Sequence, residues 1–558
     1  MNKKLKGALL VAGIIVCTVG LVAGVIVLVC KHGAKPSHVT PKVADFVCNL
    51  TDYKEACKVT MTPLAQNDKA SLGEVFNAAI LATKVAVDVA GMSLVAAKDG
   101  DVHSSQRLDE CKELMEYASD ELHESSRIVG DQIYTDLGIQ DKQLELMNLL
   151  SAVVAYQETC LDGFINKPEL RARVEILLLN STQLTSNALS IVASMPKILE
   201  EFNITTKPKF MGRKLLGVDE KGYPSWMSED DKKLLESGDV VLKPHAVVAK
   251  DGSGQFNTIM SALAAYPKDN VGRYVVYVKE GIYEEYVIVA KNQVNVFMYG
   301  DGATKTIVTG SRSNKTGWAT FKSGTFSAIG NGFIAKSMGF RNAAGPEMSQ
   351  AVALHSKSDR SAYFDVHIDG YQDALYTHTH RQFYSTSTIS GTVDFIFGDA
   401  AVIIQNCLII CKLPHPGQTI TITAQGRKLA TETTGIVIQN SHIMADAALF
   451  PVRSQVKSYL GRPWRMYSRT IVMESLLDDL IQPEGWLPYQ GTFALDTCFY
   501  GEYANAGPGA VADMRVKWKG FKVITDVNEA MQYTAGVFVQ GNQWLKETGA
   551  PFYLGLKG

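Results

Sequence analysis

Charge is the first thing this 558-residue chain has little of. Charged residues make up 20% of it, and the formal net charge is −2. A nucleic-acid protein leans on concentrated positive charge, so that class of partner is set aside. Cysteine is scarce too: nine residues are too few for a scaffold built from disulfides. Cys407, Cys411 and Cys498 have neither C-x-x-C spacing nor a histidine close by, which leaves no zinc site to argue for. With 46% apolar residues the composition is globular, and neither disorder nor a fibre fits it. A chain this long is expected to form two or three domains.

What is present begins at the N-terminus. Lys3, Lys4 and Lys6 precede an uncharged run from Gly7 to Cys30, and Lys31 and Lys35 follow it. The apolar core of a cleaved signal peptide is shorter, about 7–15 residues, whereas a run of this length can span a bilayer. Residues 1–35 therefore read as a signal anchor or an unusually long signal peptide. The basic flank stays cytosolic and the rest of the chain becomes lumenal. Acceptor tripeptides at Asn49, Asn180, Asn203 and Asn314 fit secretion, although N-x-S/T is common by chance. Cys48, Cys57, Cys111 and Cys160 form an even set compatible with two disulfides, in any of three pairings.

Residues 36–65 read as a polar connection. Helical periodicity follows over 70–97, 105–129, 140–164 and 169–197. The first of these carries Leu72, Val75, Phe76, Ala79, Ile80, Ala86 and Val87 on one stripe, with Thr83 its one polar member. Four such segments suggest an all-α antiparallel four-helix bundle. No paired Glu-x-x-His metal motif lies on them, so a folding or interaction module is expected. Residues 201–240 form a Pro-, Gly- and charge-containing linker in which Arg213 and Lys214, followed by Leu215 and Leu216, make a plausible protease site. From about residue 246 the pattern changes to short apolar β-formers between glycines and asparagines. The segments 402–410 (VIIQNCLII) and 436–444 (IVIQNSHIM) are near copies. A β-sandwich also has many short strands, but repetition favours a parallel β-solenoid.

Two Gly-x-x-Asp segments concentrate the chemistry: 370–376 (GYQDALY) and 391–398 (GTVDFIFG). The interval from Asp373 to Asp394 is about one solenoid coil, which would set them on adjacent strands ~4.8 Å apart. Two carboxylates so close do not both ionise cheaply. One keeps its proton and serves as an acid, while the other stays charged and attacks. Gln350 precedes Asp373 by a similar interval and is expected on the preceding coil in the same column. An acid, a nucleophile and amide donors on one face suit acyl transfer at an ester. Each residue also has a bland reading: aspartates as turn residues, glutamines in an amide ladder, Arg462 in a surface ion pair, Trp464 in the core.

From about residue 240 onward the chain resembles plant pectin methylesterases. The motifs are 342–354 (NAAGPEMSQAVAL), 370–376, 391–398, 423–427 (TAQGR), 459–464 (YLGRPW), 501–503 (GEY) and 507–510 (GPGA). Upstream, 155–164 (AYQETCLDGF) and the Cys48…Cys57 pair resemble the plant pectin methylesterase inhibitor family, over roughly residues 40–200. The resemblance implies a right-handed parallel β-helix that removes methyl esters from homogalacturonan, giving pectate and methanol without cofactor or metal. It implies Asp394 as nucleophile, Asp373 as acid and then base, and Gln350 and Gln372 as oxyanion donors. Arg462 would hold the nucleophile, and Thr320 and Trp464 would contact substrate together with Gln350 and Arg462. Cys48 would pair with Cys57, and Cys111 with Cys160. The stretch 223–227 (YPSWM) resembles the family's linker, where Arg213-Lys214-Leu215-Leu216 would be a processing site for a subtilisin-like protease.

The domain plan is then an anchor at 1–35, an inhibitor-like bundle at 36–200, a linker at 201–240 and a catalytic β-helix at 241–558. Expected partners are methylesterified pectin, the chain's own pro-domain and proteinaceous pectinesterase inhibitors. The chain is expected to act as a monomer, secreted to the cell wall from a precursor anchored by residues 7–30. Departures from the family pattern are Ala374 for threonine, Ser387 and Ser441 for cysteines, and Ser349 for histidine. His355, His378 and His380 have no family role and read as surface or packing residues. Competing readings are a retaining glycoside hydrolase, which also uses paired carboxylates, and a non-enzymatic inhibitor. A pectate lyase would want a cage of acidic residues for calcium, which the sequence does not offer.

Overall fold

The computed structural model describes residues 41–65, 71–97, 101–130, 139–201, 243–270 and 272–557. They fall into two compact units, one helical and one of β-strands. The apolar run at 7–30, Asn203 and the processing element 213–216 lie outside the described residues.

In the helical unit, α1 (Pro41–Asn49) and α2 (Lys54–Ala65) occupy much of the stretch read as a polar connection. They hold 9 and 12 residues, too few turns to show a periodic stripe. A disulfide between Cys48 and Cys57 ties them together. The bundle follows as α3 (Leu72–Ala96), α4 (Val102–Gly130), α5 (Ile139–Asp162) and α6 (Pro168–Ala193). Helix α3 packs on α4 and α6, and α5 packs on the same two. Ser71 opens α3 with a capping box: its hydroxyl accepts from Glu74 N–H, and the Glu74 carboxylate accepts from Ser71 N–H. Leu72, Val75, Phe76, Ile80 and Val87 are buried. Thr83 enters the core without an orphaned hydroxyl, because it donates to Ala79 O at 2.8 Å and Leu184 O at 3.1 Å. A second disulfide, Cys111 to Cys160, joins α4 to α5. Helix α3 is long and apolar enough to cross a membrane, but 56% of its apolar window is buried inside the bundle.

The β unit winds three parallel sheets of 11, 7 and 8 strands into a right-handed parallel β-helix. Except at the two ends of the 11-stranded sheet, each strand bonds to the strand one coil on, not to its neighbour in the chain. The near copies sit on adjacent coils, with Val402 opposite Ile436 and Ile404 opposite Ile438. Like therefore stacks on like inside the coil, which is why the sequence repeats. Every pairing between these strands is parallel, which excludes the sandwich. Near the C-terminus, Ala530, Val539, Trp544 and Leu545 cover Phe297, Ile334, Phe383 and Ile403 on the outside of the 11-stranded sheet.

The seven-stranded sheet positions the site. Its strands are β1 (Val287–Val289), β2 (Phe326–Ala328), β3 (Leu354–Ser356), β4 (Leu375–Thr377), β5 (Val393–Gly398), β6 (Ile420–Gln425) and β7 (Ser458–Gly461), adjacent in that order. Val287, Phe326, Leu354, Leu375 and Ile396 form one column across β1–β5. The rungs from Leu354 to Leu375 and from Leu375 to Ile396 are short and equal in length. The rungs from Val287 to Phe326 and from Ile396 to Thr423 are longer. Their surplus becomes loops on either side of the two short rungs.

Candidate functional site

Each aspartate stands two residues ahead of a core residue. Asp373 precedes Leu375, Asp394 precedes Ile396, and those two are register partners. The carboxylates thus occupy neighbouring rungs, about 4.8 Å apart. Both residues have left-handed backbone, with φ of 63° and 51°, which is uncommon outside glycine. At Asp394 the register with β6 also shifts, between Val393 and Ile396. Such a bulge re-aims a side chain out of the strand's alternation. Two hydrogen bonds hold these conformations: Asp373 N–H donates to Val393 O at 3.0 Å, and Asp394 N–H donates to Thr421 Oγ1 at 2.9 Å.

The two carboxyl groups have opposite surroundings. Arg462 grips Asp394 with both arms, Nε donating to Oδ1 at 2.8 Å and Nη2 to Oδ2 at 2.6 Å. This is the strong bidentate geometry. The Thr421 hydroxyl donates to Oδ1 at 2.6 Å. Gly461 sets Arg462 there, since a Cβ at that position would lie 2.0 Å from Thr423 Oγ1. The Tyr489 ring centroid lies 4.9 Å from the Arg462 guanidinium carbon. Asp373, only 7% exposed, accepts no side-chain hydrogen bond among the described residues. Burial first, and the Asp394 charge second, push its carboxyl well above the ordinary carboxylate range, with Arg462 opposing. One carboxylate is held by a cation and a hydroxyl, while its neighbour is biased toward the protonated acid.

Gln350 lies on the preceding rung but not in Asp373's column. Leu354 pairs with Leu375, so the register places Val352 opposite Asp373 and Gln350 opposite Tyr371. Ser349, just before it, turns the chain with φ of 59°. The Gln350 carbonyl accepts from Asn314 N–H at 2.8 Å. The side-chain amides of Gln350 and Gln372 are half-buried, and no described residue engages them. Both keep their N–H donors for a ligand. Thr320 is half-buried in a short 3-10 turn ahead of β2. Trp464 follows β7 and meets Phe397 edge-on at 6.0 Å. Phe397 stacks on Tyr376 at 4.3 Å, and Tyr376 on His355 at 4.9 Å. An aromatic row therefore crosses β3, β4 and β5 beside the aspartates.

Comparison with known proteins decides the family. Residues 245–542 match the family model described as Pectinesterase, and residues 43–191 match Plant invertase/pectin methylesterase inhibitor. The chain belongs to the pectinesterase family. It is 44% identical to the probable pectinesterase/pectinesterase inhibitor 13 of Arabidopsis thaliana, over 92% of this chain and 82% of that one. It is 39% identical to pectinesterase 1 of Citrus sinensis, over 94% of this chain and 90% of that one. Among solved structures it is similar to the pectin methylesterase from carrot, at 50% identity and a TM-score of 0.56, covering 57% of this chain and all of that one.

Other residues of this pectinesterase can now be placed. His355, His378 and His380, read as surface or packing residues, are packing residues: they are 2%, 1% and 3% exposed. His355 Nε2 and His378 Nδ1 share a hydrogen bond of 2.9 Å, and burial pushes both rings well below the ordinary histidine pKa. Cys407, Cys411 and Cys498 are buried free thiols. Ser387 donates to Ser385 O at 2.7 Å, and Ser441 accepts from Cys407 N–H at 3.1 Å. Of the N-x-S/T asparagines, Asn49 is exposed, and Asn180 and Asn314 are half-buried. Sequence reading missed Thr421, Tyr376, Phe397 and Tyr489. Phe397 and Tyr376 carried a signal, since each stands three residues after its aspartate. Thr421 carried none.

Proposed function

We propose that this pectinesterase hydrolyses the methyl esters of homogalacturonan through an aspartyl acyl-enzyme, giving pectate and methanol. The observation that carries the reading is the two-armed grip of Arg462 on Asp394 beside the buried carboxyl of Asp373. Asp394, charged and oriented, attacks the C6 carbonyl of a methylated galacturonate. The oxyanion that forms accepts from the side-chain amides of Gln350 and Gln372. Collapse expels methoxide, which takes the Asp373 proton and leaves as methanol. Asp373, now a carboxylate, removes a proton from water as the water attacks the acyl carbonyl. The acid product departs, Asp394 regains its charge and Asp373 its proton. Thr320 and the face of Trp464 contact the sugar rings.

The helical unit serves as an inhibitory or retention pro-domain, joined through the 201–240 linker and released by a subtilisin-like cut at 213–216. The precursor reaches the cell wall through the endomembrane system, anchored by residues 7–30. Methanol release from methylated pectin tests the chemistry. The cut wild-type chain is expected to release it, and a rapid acid quench during turnover should yield a galacturonoyl mixed anhydride on the peptide that contains Asp394. New reducing ends without methanol would favour a glycoside hydrolase instead.

A further inference from the structure

One cation in the β unit is built into a rigid setting but given no acid to pair with. The Arg312 guanidinium carbon lies 3.6 Å from the Tyr286 ring centroid and 3.8 Å from that of Trp318. It is held between two π faces, an arrangement that favours the cation and fixes its plane. No carboxylate pairs with it among the described residues, and the side chain is half-buried, not enclosed. The edge of the planar fork, which matches a carboxylate, is left over. The surroundings are pre-formed. Gly310 has no side chain because a Cβ there would lie 2.7 Å from the Tyr286 ring. Tyr286 Oη accepts from Ser311 N–H at 3.0 Å. A capping box between Ser313 and Thr316 closes the turn that leads to Trp318.

This clamp is tied to the catalytic rungs. The Asn342 side-chain amide donates both to Arg312 O, at 2.9 Å, and to Val352 O, at 3.1 Å. Val352 stands opposite Asp373 one rung away, and the next residues of the Arg312 loop hold the Gln350 carbonyl through Asn314 N–H. Tyr286 immediately precedes β1, which lies three rungs from β4. The clamp therefore stands about 14 Å from Asp373 along the sheet, a few sugar units away for a chain lying across the strands. Building on the pectinesterase reading above, we infer that Arg312 is a carboxylate-binding position. It takes a galacturonate already freed of its methyl group and so directs the enzyme toward partly de-esterified chains.

The test compares wild type with Arg312→Gln and Arg312→Lys, in the full chain cut at its linker. Methanol release is measured on pectin of high and of partial esterification, and binding is measured to an unesterified oligogalacturonate. In Arg312→Gln the ratio of kcat/KM on partial over high esterification should fall about fivefold, mostly through KM. Binding of the acid oligomer should weaken by a similar factor, the size of an exposed ion pair. Arg312→Lys should restore part of both, and the wild-type preference should shrink as salt is raised. An equal loss of kcat/KM on both pectins would make Arg312 a structural clamp and overturn the proposal, as would unchanged binding of the acid oligomer. Should wild type release methanol from neither pectin, the pectinesterase reading itself fails, and the oligomer binding still decides whether Arg312 holds carboxylates.

Discussion

Replacing Arg462 by lysine separates charge from geometry at the nucleophile. In the wild type, Nε and Nη2 each hold a different oxygen of Asp394, at 2.8 and 2.6 Å. Lysine keeps the charge but offers a single ammonium, which can grip one oxygen well. A hydrogen bond to a charged group contributes about 1.5–3 kcal/mol. Losing one of the two should therefore lower kcat/KM by roughly 10- to 150-fold, at ~1.4 kcal/mol per decade. The fold should survive, because Thr421 still donates to Oδ1 and the charge pair persists. Arg462→Ala is the contrasting variant. It leaves a carboxylate only 8% exposed without its cation, which typically costs about 3–5 kcal/mol of stability. Initial rates of methanol release over a range of pectin concentrations, with thermal melts of each variant, read both effects. A lysine variant within twofold of wild type would refute the reasoning, since charge alone would then suffice.

Three further outcomes are expected. Asp394→Ala should abolish methanol release, because Asp359, Asp479 and Glu502 are also gripped by both arms of an arginine but only Asp394 acts on the Asp373 carboxyl; near-normal turnover would remove it from the nucleophile's role. Asp373→Asn should lose about 10²–10⁴-fold in rate, the usual worth of general acid–base help. Its stability should change with a definite sign. Burial raises the Asp373 carboxyl above its ordinary value of 3.8, so the stability it confers is full below that pH and is lost as pH rises toward the raised value. The asparagine variant should accordingly melt higher than wild type near neutrality and lose that advantage below about pH 4; no gain at neutral pH would mean that the folded Asp373 carboxyl is not raised. Finally, the purified lumenal chain should gain activity when cut at 213–216, and changing Arg213 and Lys214 to alanine should block both cut and gain. Tethering gives even a weak contact a millimolar effective concentration, so equal activity before and after the cut would rule out occlusion and leave retention in the cell.

The parts legible in the sequence are those governed by a fixed period. A 3.6-residue stripe announced α3 to α6, because each runs for 24 residues or more. The interval between the two aspartates announced neighbouring rungs, because the rungs joining β3 to β4 and β4 to β5 keep one length. Where loops enter, the period fails and the sequence falls silent. Thr421, which bonds both the amide and the carboxylate of Asp394, comes 27 residues later, on a rung lengthened by a loop. The sequence interval assigns Gln350 to Asp373's column, but that interval overshoots the rung and Val352 stands there instead.

The histidines show a second limit. Period-2 alternation says which side chains leave the inner core, and it sends His355 to the outer face of β3. It does not say what covers that face. Here His355 stacks on Tyr376 and bonds His378, so an outward position is buried as deeply as the core. The same reasoning applies to the Arg312 clamp. Tyr286 stands before β1, and Arg312 and Trp318 stand in the long loop region that follows, so no interval predicts their meeting. They meet within the extended rung that runs from Val287 to Phe326. In a solenoid the strands give a regular frame that sequence reveals, and specificity resides in the rungs that break the repeat. The residues that distinguish one pectinesterase from another are therefore to be sought in the long rungs flanking β3 to β5, more than in the Gly-x-x-Asp segments that identify the family.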